Sequence, residues 1–486
     1  MFSKKSGTYL LGLVILISFL VRLTLFVQER DLFIDEANLA ANIHERSYTE
    51  LLSPLAYEQY APPLFLWGVK ASTQVFGFSE KALRLLPFAA GILSIFLFSY
   101  LCYLLLGKEA AIYPLALFGG GMVFLQYGTE LKQYSSDFLL TLILLLAAIL
   151  TRKKEKGWGY ILLWIFLGSF AIWLSMPSVF ILFSIGVFWV LDHKSKSTFI
   201  KSSFIASFWL AQFGLYFFLV LKNQISSDYL QDFHMHSFLK IPWSFENISH
   251  DYMLISSVIK QSGGHTFLAV LINGLLLIIG GAHLVRKDKK IASLFLTPFA
   301  LLLLAGLLHK YAFVPRLLLF IQPLVLLLIA FGLACLFKVK NWPIRIAVIV
   351  LLLVNIFNHQ NFKYLYEPYE IQEIHYALNV LEGKQTLKQS DPIWVHLGAV
   401  PAFHFYTKIS PKKKRYSRLI NQAKLLSWDT DYGQLYQQSI VGERFWLLMT
   451  NYFPEDKASV LSSFEGALLI ESLDKPGCLL LHYEKQ

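Results

Sequence analysis

Apolar residues gather along this chain into runs long enough to cross a bilayer, separated by short polar breaks. A hydrocarbon core about 30 Å thick takes about 20 residues of helix. By that measure the pattern predicts eleven spans, at about 8–27, 84–106, 110–126, 134–151, 158–174, 176–192, 199–221, 266–285, 291–308, 316–337 and 342–358. The first is flanked by Lys4 and Lys5, as a signal peptide would be. It lacks a small-residue cleavage site and is followed by Arg30-Asp31, so it reads as an anchor.

The polar breaks fall into two kinds. Arg152-Lys153-Lys154 with Lys156 form one basic loop, and Lys194, Lys196 and Lys201 a second. Arg286-Lys287 with Lys289-Lys290 form a third, then Lys338, Lys340 and Arg345 a fourth. Short basic loops that alternate with other loops belong inside. The N-terminus is therefore expected in the cytoplasm and, after eleven spans, the C-terminus outside, with the cell (inner) membrane as the expected location. The opposite loops, about 28–83 and 222–265, are long and aromatic. Within the first, Pro63-Leu64-Phe65-Leu66-Trp67 suits the membrane interface better than a span.

From about residue 361 the charges return and the period changes, which divides the chain into 1–360 and 361–486. Ile371, Ile374, Leu378 and Leu381 keep helical spacing. Ile393-Trp394-Val395-His396-Leu397 and Phe445-Trp446-Leu447-Leu448 read as short buried strands. Leu468-Leu469-Ile470 and Leu479-Leu480-Leu481, joined through Asp474-Lys475-Pro476-Gly477, predict a hairpin. The fold class expected is an all-α polytopic membrane domain with a small C-terminal extracytoplasmic α/β domain.

Composition agrees. The chain is 56% hydrophobic and 15% charged, against roughly a quarter charged in soluble domains. A secreted disulfide scaffold, a disordered tail and a nucleic-acid binder are excluded. The net charge of +11 lies largely in the inner loops, where it serves topology and anionic headgroups. Cys102 and Cys335 sit in apolar segments and read as buried thiols.

Against so apolar a background, ionisable residues at the outer helix ends are the candidates for chemistry. They are Asp35 and Glu36 beyond the first span, Glu58 before Tyr60-Ala61-Pro62-Pro63, Glu130 in a short loop, and Asp137 opening the fourth span. Each has a plainer reading as a solvated or helix-capping acid. Arg22, Arg84, Lys132, His309-Lys310 and Arg316 are bases on the face where bases are disfavoured. Snorkelling anchors are their plainer reading, but a cluster of them suits a phosphate. A carboxylate able to take a proton from a hydroxyl, beside a phosphate cradle, suggests group transfer from a lipid phosphate.

The chain resembles integral-membrane glycosyltransferases of the GT-C class (glycosyltransferase family 39-like), as do protein O-mannosyltransferases and lipid A aminoarabinose transferases. The resemblance is carried by Phe33-Ile34-Asp35-Glu36-Ala37, Tyr60-Ala61-Pro62-Pro63-Leu64 and Ala82-Leu83-Arg84-Leu85-Leu86-Pro87. It continues through the stretch from Tyr127 to Asp137 and through Pro315-Arg316-Leu317-Leu318-Leu319-Phe320, and so covers about the first 340 residues. In the tail, Val395 to Phe403 is a further match. Ala61 stands where some relatives carry a charged residue or histidine, so contacts assigned to that position do not transfer.

The resemblance implies a polyprenyl-phosphate sugar donor, transfer with inversion on the non-cytoplasmic face, and a lipid, glycan or protein acceptor. It implies Asp35 as general base and Asp137 as a second acid, with Glu36 a further catalytic candidate. Arg84, Lys132 and Arg316 would bind the donor phosphate, and Glu58, Tyr60, Tyr134 and Lys310 complete the expected substrate contacts. Adjacent side chains in an extended loop point apart, so loss of Glu36 is expected to matter less than loss of Asp35. No cofactor is expected. His44, His234, His236 and His250 lack a convincing metal-ligand pattern, with His234-Met235-His236 the spacing to inspect. The rivals are a surface-glycan polymerase or ligase, which would differ in fold, and a lipid-linked substrate transporter, which would show repeated halves.

Overall fold

The computed structural model describes residues 4–154, 157–192, 195–222, 232, 234–338, 342–385, 391–427 and 429–486. Among them, seven helices are long and apolar enough to span a membrane: Gly7–Val27, Glu80–Leu106, Tyr134–Thr151, Lys196–Leu221, Phe267–Lys287, Lys289–Leu307 and Pro315–Leu336. Three shorter apolar helices, Trp158–Leu174, Ser178–Asp192 and Ile346–His359, fall on three more of the expected spans. The expected span at 110–126 is interrupted. Its helix runs Lys108–Gly120, Gly121 is extended, and a short helix Met122–Tyr127 follows. The cause is local: a Cβ on Gly121 would meet the His359 ring at 2.6 Å, and the Asn361 side chain donates to Gly120 O at 2.9 Å. Small residues let that neighbouring segment dock against the broken turn.

Pro315–Leu336 is almost wholly buried and forms the centre of the bundle. It packs on Phe267–Lys287 through facing glycines. A Cβ on Gly280 would lie 1.9 Å from Leu328 O, and one on Gly332 would lie 2.0 Å from Leu276 O. In a membrane, where water does not drive helices together, such backbone approach supplies the packing.

Three of the basic loops meet at one end of the bundle. Arg152 reaches Asp288 at 2.6 Å and Asp192 at 3.2 Å, and Lys290 reaches Asp192 at 3.0 Å. The segments grouped by positive charge in the sequence thus share a face of the fold.

At the other end, the first polar loop folds into two helices, α1 (Ile34–Glu45) and α2 (Pro63–Phe76), before α3 (Glu80–Leu106) re-enters the bundle. Pro63 opens α2, where a missing N–H costs nothing. The tail supplies helix α4 (Ile374–Gln385) and five strands: β1 (Ile393–Val395), β2 (Ala423–Leu425), β3 (Arg444–Thr450), β4 (Ala467–Lys475) and β5 (Cys478–Lys485). They form one sheet in the order β2-β1-β3-β5-β4. β1 is parallel to β2 and β3, whereas β5 is antiparallel to β3 and β4. The expected hairpin is β4–β5, turning at Gly477 with φ +61°. The expected helix begins at Ile374, one turn later than Ile371.

The tail does not hang free. Leu32, Leu39, Ile43, Phe65 and Leu83 share one buried cluster with Ile374, Leu378, Val395, Phe403 and Tyr406. The first loop and the α/β domain therefore bury a common core.

Candidate active site

The loop leaving the first span is fixed by one buried carboxylate. Glu36, in the first turn of α1, accepts from its own turn at Phe33 N (3.1 Å) and from distant Leu131 N (2.7 Å). Arg84 near the start of α3 donates to both its oxygens, Nε to Oε1 at 2.8 Å and Nη2 to Oε2 at 2.7 Å. Arg30 adds a charge at 3.8 Å. Burial alone would raise the carboxyl's pKa. The charges of Arg84 and Arg30 outweigh it, and Glu36 is held below the usual carboxylate range. Arg84 donates further to Arg30 O (2.6 Å) and Asp31 O (3.1 Å), while Arg30 donates to Thr129 O (2.9 Å). The α1 entry, α3 and the 129–131 loop are locked together by these bonds.

Asp35, one residue earlier, faces elsewhere. Its Oδ2 lies 3.6 Å from Lys132 Nζ and 4.0 Å from Arg316 Nη1, and Gln59 Nε2 approaches Oδ1 at 3.3 Å. Gln59 bridges, since its Oε1 also accepts from Lys132 Nζ at 2.9 Å. It is delivered by Tyr57 and Glu58, two non-glycine residues at φ +62° and +51°. Such left-handed backbone costs free energy that the surrounding structure must offset, and it concentrates at functional sites. Arg316 follows Pro315 at the head of a short 3₁₀ turn that leads into the central helix. The Asp35 side chain keeps 29% of its exposure and that of Lys132 only 8%. The result is an accessible carboxylate with two cations at long range, an arrangement open to an anion.

Asp137, in the first turn of the helix Tyr134–Thr151, is buried deeper and makes no direct bond to Asp35 among the described contacts. The Ser175 hydroxyl lies within hydrogen-bonding reach of its carboxylate, whereas the Ser136 and Ser178 hydroxyls are buried without a hydrogen-bond partner among the described residues. The phenols of Tyr60 and Tyr216 bond to each other, and with Tyr311 they lie within electrostatic reach of Asp137. Tyr134 lies within electrostatic reach of Arg316, Asp35, Glu130 and Asp137.

Of the remaining expected contacts, Glu58 and Lys310 are exposed. Glu130 is buried, accepts from Gln126 at 3.0 Å, and is pushed above the usual carboxylate range by burial and by the charge of Glu36. His234 is near Arg316; burial and then that charge lower its pKa. His236 offers its carbonyl to the His250 ring at 3.0 Å. No group of three His, Cys, Asp or Glu side chains is placed to hold a metal ion among the described residues. Reading the sequence missed Gln59, Arg30 and Asp31. Gln59 adjoins the Tyr60-Ala61-Pro62-Pro63 stretch, but a neutral side chain carries no signal of its own.

Residues 60–221 match the family model described as dolichyl-phosphate-mannose-protein mannosyltransferase. No curated protein matches the chain. Among solved structures, the chain is similar to ArnT from Cupriavidus metallidurans bound to undecaprenyl phosphate. That likeness has 12% identity and a TM-score of 0.53, covering 99% of this chain and 98% of that one. Looser likenesses are to the same protein in its apo state (12% identity, TM-score 0.49, 97% and 98% covered) and to the Archaeoglobus fulgidus oligosaccharyltransferase with Zn and sulfate (11%, 0.45, 98% and 73%). The family match covers about a third of the chain, and the likeness to the solved structure is one of fold.

Proposed function

We propose that the chain transfers a sugar from a polyprenyl-phosphate-linked donor, with inversion, to an acceptor on the non-cytoplasmic side. The observation that carries this reading is the set Asp35, Lys132 and Arg316: one accessible carboxylate with cations 3.6 and 4.0 Å away. Asp35 takes the proton of an acceptor hydroxyl as its oxygen attacks the anomeric carbon. The bond from that carbon to the phosphate oxygen breaks on the opposite side, and the polyprenyl phosphate leaves with the electron pair. Lys132 and Arg316 stabilise the charge that grows on the leaving phosphate. One displacement inverts the centre without a covalent enzyme intermediate. An acceptor phosphate is already ionised and needs no base, so the role of Asp35 is tied to hydroxyl acceptors.

Arg84 and Glu36 frame the site instead of entering it, because their charges already satisfy each other. Asp137, with the Tyr60, Tyr134, Tyr216 and Tyr311 phenols within its electrostatic reach, is assigned to the donor's sugar hydroxyls. The fit of the fold to a protein holding undecaprenyl phosphate supports a lipid-linked donor. The test is transfer of radiolabelled sugar from polyprenyl-phosphate donors to endogenous acceptors in membranes carrying the wild type or Asp35→Asn at matched levels. Loss of transfer with retained donor binding is expected. Wild-type transfer by Asp35→Asn would refute the assignment.

A further inference from the structure

The residues just before Asp35 are held by the α/β domain more than by the membrane bundle. Asp31 accepts from His375 N at 2.7 Å and is also bonded to the His375 ring. Leu32 N donates to the Tyr406 hydroxyl at 2.9 Å, and Ile34 N donates to Gln372 Oε1 at 3.1 Å. Three of the four positions 31–34 are therefore tied to the tail. Ile34 N is one of the first amides of α1, which have no partner inside the helix and need an outside acceptor. Gln372 supplies it from more than 300 residues away in sequence.

Gln372 is itself rigidly placed. Its Nε2 donates to Thr450 Oγ1 at 2.8 Å, and Thr450 donates on to Gly398 O at 3.0 Å. Glu373 N donates to Pro476 O in the β4–β5 turn at 3.1 Å, so residue 372 is braced from both sides. Tyr406 and Gln372 are both buried, with 0% and 1% exposure, which keeps water from replacing these bonds.

We infer that Gln372 and Tyr406 are positioning residues for Asp35, so that the α/β domain completes the catalytic site of the membrane domain. The inference rests on the role proposed above for Asp35. The two acceptors fix the backbone at residues 32 and 34, and the direction of the Asp35 side chain toward Lys132 and Arg316 follows from that backbone. Neither residue need touch substrate. A small displacement of a base is expensive, since about 1 Å of misplacement can cost about 100-fold in rate.

The experiment uses the full-length enzyme in detergent or nanodiscs, with variants Gln372→Met, Gln372→Glu, Tyr406→Phe and Asp35→Asn. Gln372→Met and Tyr406→Phe remove the acceptors at little change of shape. Each should lower kcat by roughly 10- to 100-fold, with donor KM within about twofold of wild type and thermal stability within a few degrees. Gln372→Glu keeps an acceptor for Ile34 N and should recover most of the lost kcat. Unchanged kcat in Gln372→Met and Tyr406→Phe, or Gln372→Glu as poor as Gln372→Met, would overturn the inference. So would losses that only follow lower stability. If Asp35→Asn itself transfers normally, the functional reading fails; if it is inactive while the tail variants are normal, the tail inference alone fails.

Discussion

Arg84 grips Glu36 through one edge of its guanidinium, Nε and Nη2, at 2.8 and 2.7 Å, where neither side chain is more than 4% exposed. Bidentate pairs of this kind are strong and directional. Their effect here is to hold Glu36 in a buried pair, while its neighbour Asp35 stays partly exposed, as the proposed catalytic role requires. The expectation of an extended loop at Asp35-Glu36 gives way to the first turn of α1, where consecutive side chains diverge by about 100°.

Glu36→Gln is accordingly expected to harm folding more than catalysis. Removing one partner of a buried ion pair leaves the other charge uncompensated and costs about 3–5 kcal/mol. Thermal unfolding in detergent should show a much lower Tm for Glu36→Gln. A Tm close to wild type would show that the Arg84 charge finds another partner.

Asp35→Asn should behave in the opposite manner. Its partners are long-range and its side chain is partly exposed, so stability should change little. Loss of a general base lowers rate by about 10²- to 10⁴-fold. Transfer kinetics at saturating donor measure this directly.

Lys132→Ala and Arg316→Ala should each weaken binding of polyprenyl phosphate by about 1–3 kcal/mol, the worth of a hydrogen bond to a charged group. Displacement of a fluorescent polyprenyl phosphate from the purified protein gives the affinities. Equal affinity in wild type and both variants would place the phosphate elsewhere.

Glu373 makes stability depend on pH. Burial first, then the charges of Asp31 and Glu370, push its carboxyl from 4.5 up to about 7. The folded state thus holds a proton that the unfolded chain has already released. Its contribution is fully present below about pH 4.5 and is lost as pH rises through about 7. Glu373→Gln should therefore leave Tm nearly unchanged at pH 5 and raise it at pH 8. An equal shift at both pH values would show that the effect is not titration of this group.

The clustering of Arg152, Asp192, Asp288 and Lys290 marks one face of the bundle, and from positive-inside bias we propose that it is the cytoplasmic one. Reporter fusions after Gln360 should be active only in the extracytoplasmic compartment. A cytoplasmic signal there would invert the site's placement.

The sequence by itself determined the class of fold and the order of its parts. Apolar run length locates the helices, basic residues sort the loops onto faces, and alternation with a turn locates β4–β5, because each of these signals is local along the chain. It could also single out Asp35, Arg84, Lys132, Asp137 and Arg316, since a charge in so apolar a chain stands out from its neighbours. Their division of labour was not legible. Glu36 and Asp35 are chemically almost alike, and only the approach of Arg84 from 48 positions away makes one a buried anchor and the other an open carboxylate. The same holds for Gln59, Gln372 and Tyr406. They are ordinary side chains whose value lies in the donors and acceptors that folding brings within 3.3 Å, a distance that sequence spacing does not encode.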